Sequence, residues 1–140
     1  MKLYLDVSVL IAALTDDILS DRATALLASN TGELLVSDFG QAEFASGVAR
    51  RVRTGELSRD EARAAFAHLD RWCATATSLV RISPDDVGWA AAIVRKLDFN
   101  LRTPDALHIA IARRLGAALG TLDRRMGEAA SGLGLTVAPS

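Results

Sequence analysis

Short apolar segments alternate along this chain with longer stretches whose apolar residues recur at helical spacing. Lys2 to Leu5 reads as a strand that closes on Asp6. Ile18 to Ala28 carries Leu19, Ala23, Leu26 and Leu27, the i, i+4, i+7, i+8 stripe of an amphipathic helix. Leu34-Leu35-Val36 is a short buried strand, after which Asp38 can cap a helix running to about Arg53 with Phe44, Val48 and Val52 on one face. Gly55 closes that helix, and Arg50, Arg51 and Arg53 suit its carbonyl-rich end. Ser58 and Glu61 form a capping box for the next helix, striped by Ala62, Ala65, Phe66, Leu69, Trp72 and Cys73. Leu79 to Ile82 is a third strand. Ser83-Pro84-Asp85-Asp86 and Thr103-Pro104-Asp105 are both helix starts, with proline early and an acid in the first turn. The second of these opens a helix that is apolar nearly all round from Ala106 to Leu115, which predicts a central, buried position. Ala117 to Thr121 is a fourth strand, Met126, Ala129, Ala130 and Leu133 stripe a last helix, and Leu135 to Ala138 is a candidate fifth strand.

Strands separated by helices imply right-handed crossovers and a parallel sheet covered on both sides. The expected fold is α/β: a single domain over 1–140 with a parallel sheet of four to five short strands and helices on both faces. Strand order does not follow from this pattern.

Composition narrows the class. At 140 residues, with 50% hydrophobic and 24% charged residues and a mean hydropathy of +0.21, the chain is neither disordered nor fibrous. No apolar run approaches the roughly 18 residues of a membrane span. Lys2 followed by Val7 to Leu14 imitates a secretory leader, but Asp6 interrupts it and Asp16-Asp17 stand where small residues belong, so a cytoplasmic protein is expected. The lone Cys73 agrees, since it makes neither an intramolecular disulfide nor a cysteine metal site. A net charge of −1 argues against a protein built mainly to hold nucleic acid, though not against an enzyme that meets a few phosphates locally.

Parallel sheets place ligands at the carboxyl ends of their strands. Asp6 ends strand one, Asp123 follows strand four, Asp105 lies in the first turn of the buried helix, and Glu43 stands one turn after strand two. Four carboxylates distant in sequence thus share one edge, where they repel one another unless protonated or bridged by cations. Oxygen-only ligands suit Mg²⁺ or Mn²⁺, and such a site binds substrate phosphates for in-line displacement. Each acid also has a plainer reading: Asp105 as a first-turn acid, Asp123 as a helix cap. Asp38 is set aside because capping explains it. His108, one turn after Asp105, reads as a buried supporting residue rather than a base. Arg113-Arg114 and Arg124-Arg125 read as solvated cations. Ser8 and Thr121, each two positions from a candidate ligand, are placed to support it.

These residues carry a resemblance. Leu5-Asp6-Val7-Ser8-Val9-Leu10 resembles the opening of a PIN-domain nuclease, and Thr103-Pro104-Asp105-Ala106-Leu107-His108 the central motif of its VapC toxin branch. Thr121-Leu122-Asp123-Arg124-Arg125-Met126 is similar to the branch's last acidic motif. Ala42 to Ser46, followed by Arg50 to Ser58, matches its second acidic helix and the turn after it. The resemblance covers essentially the whole chain in order. It implies a Mg²⁺- or Mn²⁺-dependent endoribonuclease, homodimeric and silenced by a cognate VapB-type antitoxin. Residue by residue it places the metal-binding, catalytic acids at Asp6, Glu43, Asp105 and Asp123, and the supporting hydroxyls at Ser8 and Thr121. Val7 stands where the branch commonly has a hydroxyl, which leaves Ser8 alone in that role.

Two rivals differ in class. An Asp-nucleophile phosphatase of the haloacid dehalogenase type also starts from an acid at a strand end, but needs a lysine in the site, and Lys2 and Lys96 are poorly placed. A catalytically silent PIN-fold binding module would be favoured by loss of any of the four acids, and none is lost.

Overall fold

In the computed structural model, which describes residues 1–139, seven helices surround a four-stranded sheet. In chain order the elements are β1 (Leu3–Leu5), α1 (Val7–Leu14), α2 (Ser20–Ala28), β2 (Leu34–Ser37), α3 (Asp38–Arg53), α4 (Arg59–Ala76), β3 (Ser78–Val80), α5 (Pro84–Arg95), α6 (Thr103–Arg114), β4 (Ala118–Gly120) and α7 (Arg124–Gly132). All strand pairs are parallel, in the order β3-β2-β1-β4, so β1 is flanked on both sides and its carboxyl end lies mid-sheet.

The pleat sorts side chains between two cores. Leu3, Leu5, Val36 and Ala118 face a core built with α1 to α4, whereas Tyr4, Leu35 and Leu119 face one built with α5, α6 and α7. In α6 every residue from Ala106 to Ala112 is buried, as its all-round apolar pattern predicts.

Local chemistry sets most boundaries. Ser58 and Glu61 form the expected capping box on α4, and Ser83 pairs in the same way with Asp86 on α5. Gly55, at φ +79°, donates to Val52 O while Glu56 donates to Arg51 O, the αL closure that ends α3.

The structure adds one helix and changes three expectations. The apolar run Val7–Leu14 is a helix, α1, capped by Asp6, whose Oδ1 accepts from Val9 N at 3.2 Å; a run that apolar has no period to distinguish helix from strand. The cap of α3 is Ser37 rather than Asp38: Ser37 has extended backbone and its Oγ reaches Gly40 N, while Asp38 is already helical and accepts from Phe39 N and Ile82 N. The segment Leu135–Ala138 returns beside β4 but makes only one bridge, Val137 with Leu119, because β4 is three residues long. Arg114 is not a solvated cation, since its guanidinium grips the buried Asp86 in two hydrogen bonds of 2.9 Å and ties α6 to α5.

That clamp is testable. Asp86 is 2% exposed, so Arg114→Leu strands a buried carboxylate and should cost about 3 kcal/mol, the low end of the range for breaking such pairs because Arg114 itself meets solvent. Adding Asp86→Asn, which keeps the cap on Ser83, should recover most of the loss in chemical denaturation. Additive losses in the double variant would show that the pair does not couple the helices.

Candidate active site

Asp6 continues the ladder beyond β1, its N–H donating to Gly120 O at 3.0 Å, and its side chain is 1% exposed. A carboxylate so buried needs donors for both oxygens. Ser8 Oγ donates to Oδ1 and Thr121 Oγ1 to Oδ2, each at 2.6 Å. The two hydroxyls are themselves held, Ser8 Oγ accepting from Leu122 N at 2.9 Å and Thr121 Oγ1 from Asp123 N at 3.0 Å. Ser8 and Thr121 thereby join α1 to the β4–α7 turn through one carboxylate. Burial pushes the Asp6 carboxyl above its usual range, and the Ser8 and Thr121 hydroxyls and Val9 N pull it part of the way back.

Asp123 is the N-cap of α7, its Oδ1 accepting from Met126 N at 3.2 Å. Asp105, half-buried, reaches back from the first turn of α6 to accept from Arg102 N at 3.3 Å. The capping readings of both residues are thus realised, and each leaves its second oxygen without a hydrogen bond among the described residues. Because α6 runs back toward the start of β4, its N-terminus lies at the carboxyl edge of the sheet. The N-termini of α1, α6 and α7 all face that edge, and their free N–H ends favour negative charge there.

Glu43 sits in the second turn of α3, half-buried, and its Oε1 is paired with Nε2 of the fully buried His108. His108 packs between the rings of Tyr4 and Phe39, with centroids 5.7 and 5.1 Å away, and its Nδ1 is 2.7 Å from the Tyr4 hydroxyl. Tyr4 in turn meets Ser37 Oγ at 2.7 Å. Burial drives the Tyr4 phenol well above its ordinary value, so it stays protonated. His108 is a buried supporting residue, as its place on the apolar helix predicts. Tyr4 and Ser37 escaped the sequence reading. The only hint is a tyrosine whose hydroxyl, inside a buried strand, must find a partner.

All four acids therefore occupy the carboxyl edge, but not as one cluster. Asp6 and Asp123 share Thr121, and Glu43 and Asp105 approach from α3 and α6. Among the described residues no group of three or more His, Cys, Asp or Glu side chains is close enough to hold a metal ion. Each acid has its own cap or partner: hydroxyls and Val9 N for Asp6, His108 for Glu43, Arg102 N for Asp105 and Met126 N for Asp123. By donor type the set fits a hard divalent cation: oxygen only, with an oxygen of Glu43, Asp105 and Asp123 still unengaged. Beside it, Thr121, Leu122, Asp123 and Arg124 of the β4–α7 turn line an open pocket of about 390 Å³ that also reaches Arg22. No helix among the described residues is long and apolar enough to cross a membrane.

Comparison with known proteins agrees with this architecture. The chain is 43% identical over 90 residues to Ribonuclease VapC46 of Mycobacterium tuberculosis, an alignment spanning 61% of each protein. The crystal structure of Mycobacterium tuberculosis VapC20, described as a Sarcin-Ricin loop cleaving toxin, superposes with a TM-score of 0.75 at 21% identity, covering 98% of this chain and 99% of that one. FitAcB from Neisseria gonorrhoeae gives a TM-score of 0.75 at 18% identity over 98% and 96%. These two likenesses establish the fold, and a family model for the PIN domain matches residues 3–132, so the chain belongs to the PIN-domain family.

Proposed function

We propose that this chain is a Mg²⁺- or Mn²⁺-dependent endoribonuclease, the toxin of a VapBC-type pair, hydrolysing RNA phosphodiester bonds at the edge formed by Asp6, Glu43, Asp105 and Asp123. The observation that carries the reading is Asp6: an acid 1% exposed, gripped by two hydroxyls, at the mid-sheet strand end where parallel folds bind ligands. A structural role alone would be served better by a neutral side chain. Family membership and the likeness to a named ribonuclease support the same conclusion.

The residues divide the work by their anchoring. Asp6 is fixed from both sides and offers an invariant anionic reference point. Asp105 and Asp123 hang from helix N-termini by one oxygen each, which leaves the other oxygen of each for a cation. Glu43 is held through His108 and completes the ring from α3. A divalent cation bound there supplies the positive charge without which a phosphodiester anion is repelled by the carboxylates. The same acidic edge is a receptor for an arginine or lysine side chain, which is how a VapB-type antitoxin arm would silence it. A cytoplasmic homodimer is part of this proposal.

The chain purified without antitoxin should cleave RNA only with Mg²⁺ or Mn²⁺. Asp6→Asn and Asp105→Asn should each lower the rate at least about 100-fold. Cleavage that survives EDTA would overturn the proposal, and a soluble chain that binds Mn²⁺ yet cuts no RNA would identify a silent binding module. Saturating Mn²⁺, at about a hundredfold excess over its Kd, should add about 2.7 kcal/mol to folding stability. At roughly 3–5 °C per kcal/mol, the melting midpoint should rise by about 10 °C. Asp105→Asn should remove most of that rise.

The Asp6 environment also predicts a pH dependence. Its folded-state pKa is raised, so the folded chain keeps this proton to higher pH than the unfolded chain does. Metal-free protein should therefore lose stability as pH rises above about 4, the ordinary carboxylate value, until Asp6 has ionised in the folded state. Asp17 and Glu61, whose pKa values are lowered, contribute stability that is lost only as pH falls below that value, so the windows are separate. Urea unfolding in chelator from about pH 4.5 to 7.5 should show the downward trend in wild type and not in Asp6→Asn. Parallel profiles would mean that Asp6 is already ionised throughout the range.

A further inference from the structure

A chain of hydrogen bonds runs from the N-terminus of α3 through β2, β1 and α6 back to α3. Its members are Gly40 N, Ser37 Oγ, the Tyr4 hydroxyl, the two ring nitrogens of His108 and Glu43 Oε1. Every distance between Gly40 N and His108 Nδ1 lies between 2.7 and 2.9 Å. Ser37 and Tyr4 are completely buried, and His108 nearly so.

Donor counting fixes the direction of this chain. Gly40 N–H can only donate, so Ser37 Oγ accepts from it. If Tyr4 also donated to Ser37, the serine proton would be buried with no acceptor among its partners, a costly arrangement. Ser37 therefore donates to the Tyr4 oxygen and Tyr4 donates to His108 Nδ1. The imidazole proton is left on Nε2, where it is given to Glu43. In this order every hydroxyl and ring nitrogen is satisfied once in each sense that its chemistry allows, and no buried side-chain polar atom is orphaned. Gly40 belongs to the device: a Cβ there would stand 3.3 Å from Ser37 Oγ and 3.7 Å from His108 Cε1.

We propose that His108 is a positioning residue for Glu43, its proton fixed on Nε2 by the Tyr4–Ser37 pair so that Oε1 is anchored and Oε2 is the oxygen offered to the acid edge. A glutamate on a helix flank otherwise samples many rotamers, and holding one oxygen removes that freedom before a ligand arrives. The inference rests on the reading of Glu43 as part of a cation site, and it adds a function for three residues outside the four acids.

Nitrogen-15 spectra of the metal-free protein should show His108 protonated on Nε2 and unprotonated on Nδ1. Tyr4→Phe should weaken that preference and lower Mn²⁺ affinity about tenfold by calorimetry, within the range for losing a ligand's supporting hydrogen bond. His108→Gln and His108→Asn provide a second comparison should Tyr4→Phe fold poorly. The glutamine amide can occupy the Nε2 position and should keep Mn²⁺ affinity within a few-fold of wild type, while the shorter asparagine should lose it about tenfold. Their melting midpoints should be similar. Wild-type protein protonated on Nδ1, or His108→Asn binding Mn²⁺ like wild type, would overturn the positioning role. Wild-type protein that binds no Mn²⁺ at all would instead overturn the cation-site reading, leaving the tautomer to be decided by the spectra alone.

Discussion

One buried negative charge organises the edge of this sheet. Asp6 lies where β1 gives way to α1, so its backbone still belongs to the sheet while its side chain already caps a helix. Its oxygens take donors from Ser8 on one side and Thr121 on the other, and these two hydroxyls accept from Leu122 N and Asp123 N. The β4–α7 turn is thereby shaped around the carboxylate, and Asp123 is delivered to the edge as a consequence. Truncating Asp6 to alanine would leave two hydroxyl donors inside the fold with nothing to address, which costs more than the net value of the bonds themselves.

The other acids follow a different rule. Asp105 and Asp123 sit at helix N-termini and Glu43 against a histidine, so each is stabilised locally without reference to the rest. The mutual repulsion of four carboxylates along one edge is thereby spread over separate anchors instead of being concentrated at one point. Asp6 alone of the four is fully desolvated, and that burial raises its carboxyl above the usual range.

The parallel sheet, the central α6 and the strand-end positions of the acids were legible because each depends on a pattern local in sequence: apolar period, capping residue, strand terminus. Helix α1 was not, because Val9 to Leu14 is apolar on every face and the capping role of Asp6 competes with its reading as a ligand. Ser37 displaced Asp38 as the cap of α3 for a reason one residue wide, the backbone angle at the strand end. The Ser37–Tyr4–His108–Glu43 chain is assembled from β2, β1, α6 and α3, and Tyr4 and His108 are 104 positions apart. No single-sequence period encodes such a contact. Strand order, which puts β1 between β2 and β4, belongs to the same class of information.

In the proposed function Asp6 is the fixed centre toward which the other acids turn when a cation binds. Anomalous diffraction from crystals of the chain soaked in Mn²⁺ tests this directly. The account predicts a manganese peak within coordinating distance of an Asp6 oxygen, with Asp105 or Asp123 rotated onto it and both the Ser8 and Thr121 hydrogen bonds retained. Manganese bound elsewhere on the surface, with Asp6 still held only by its hydroxyls, would contradict it.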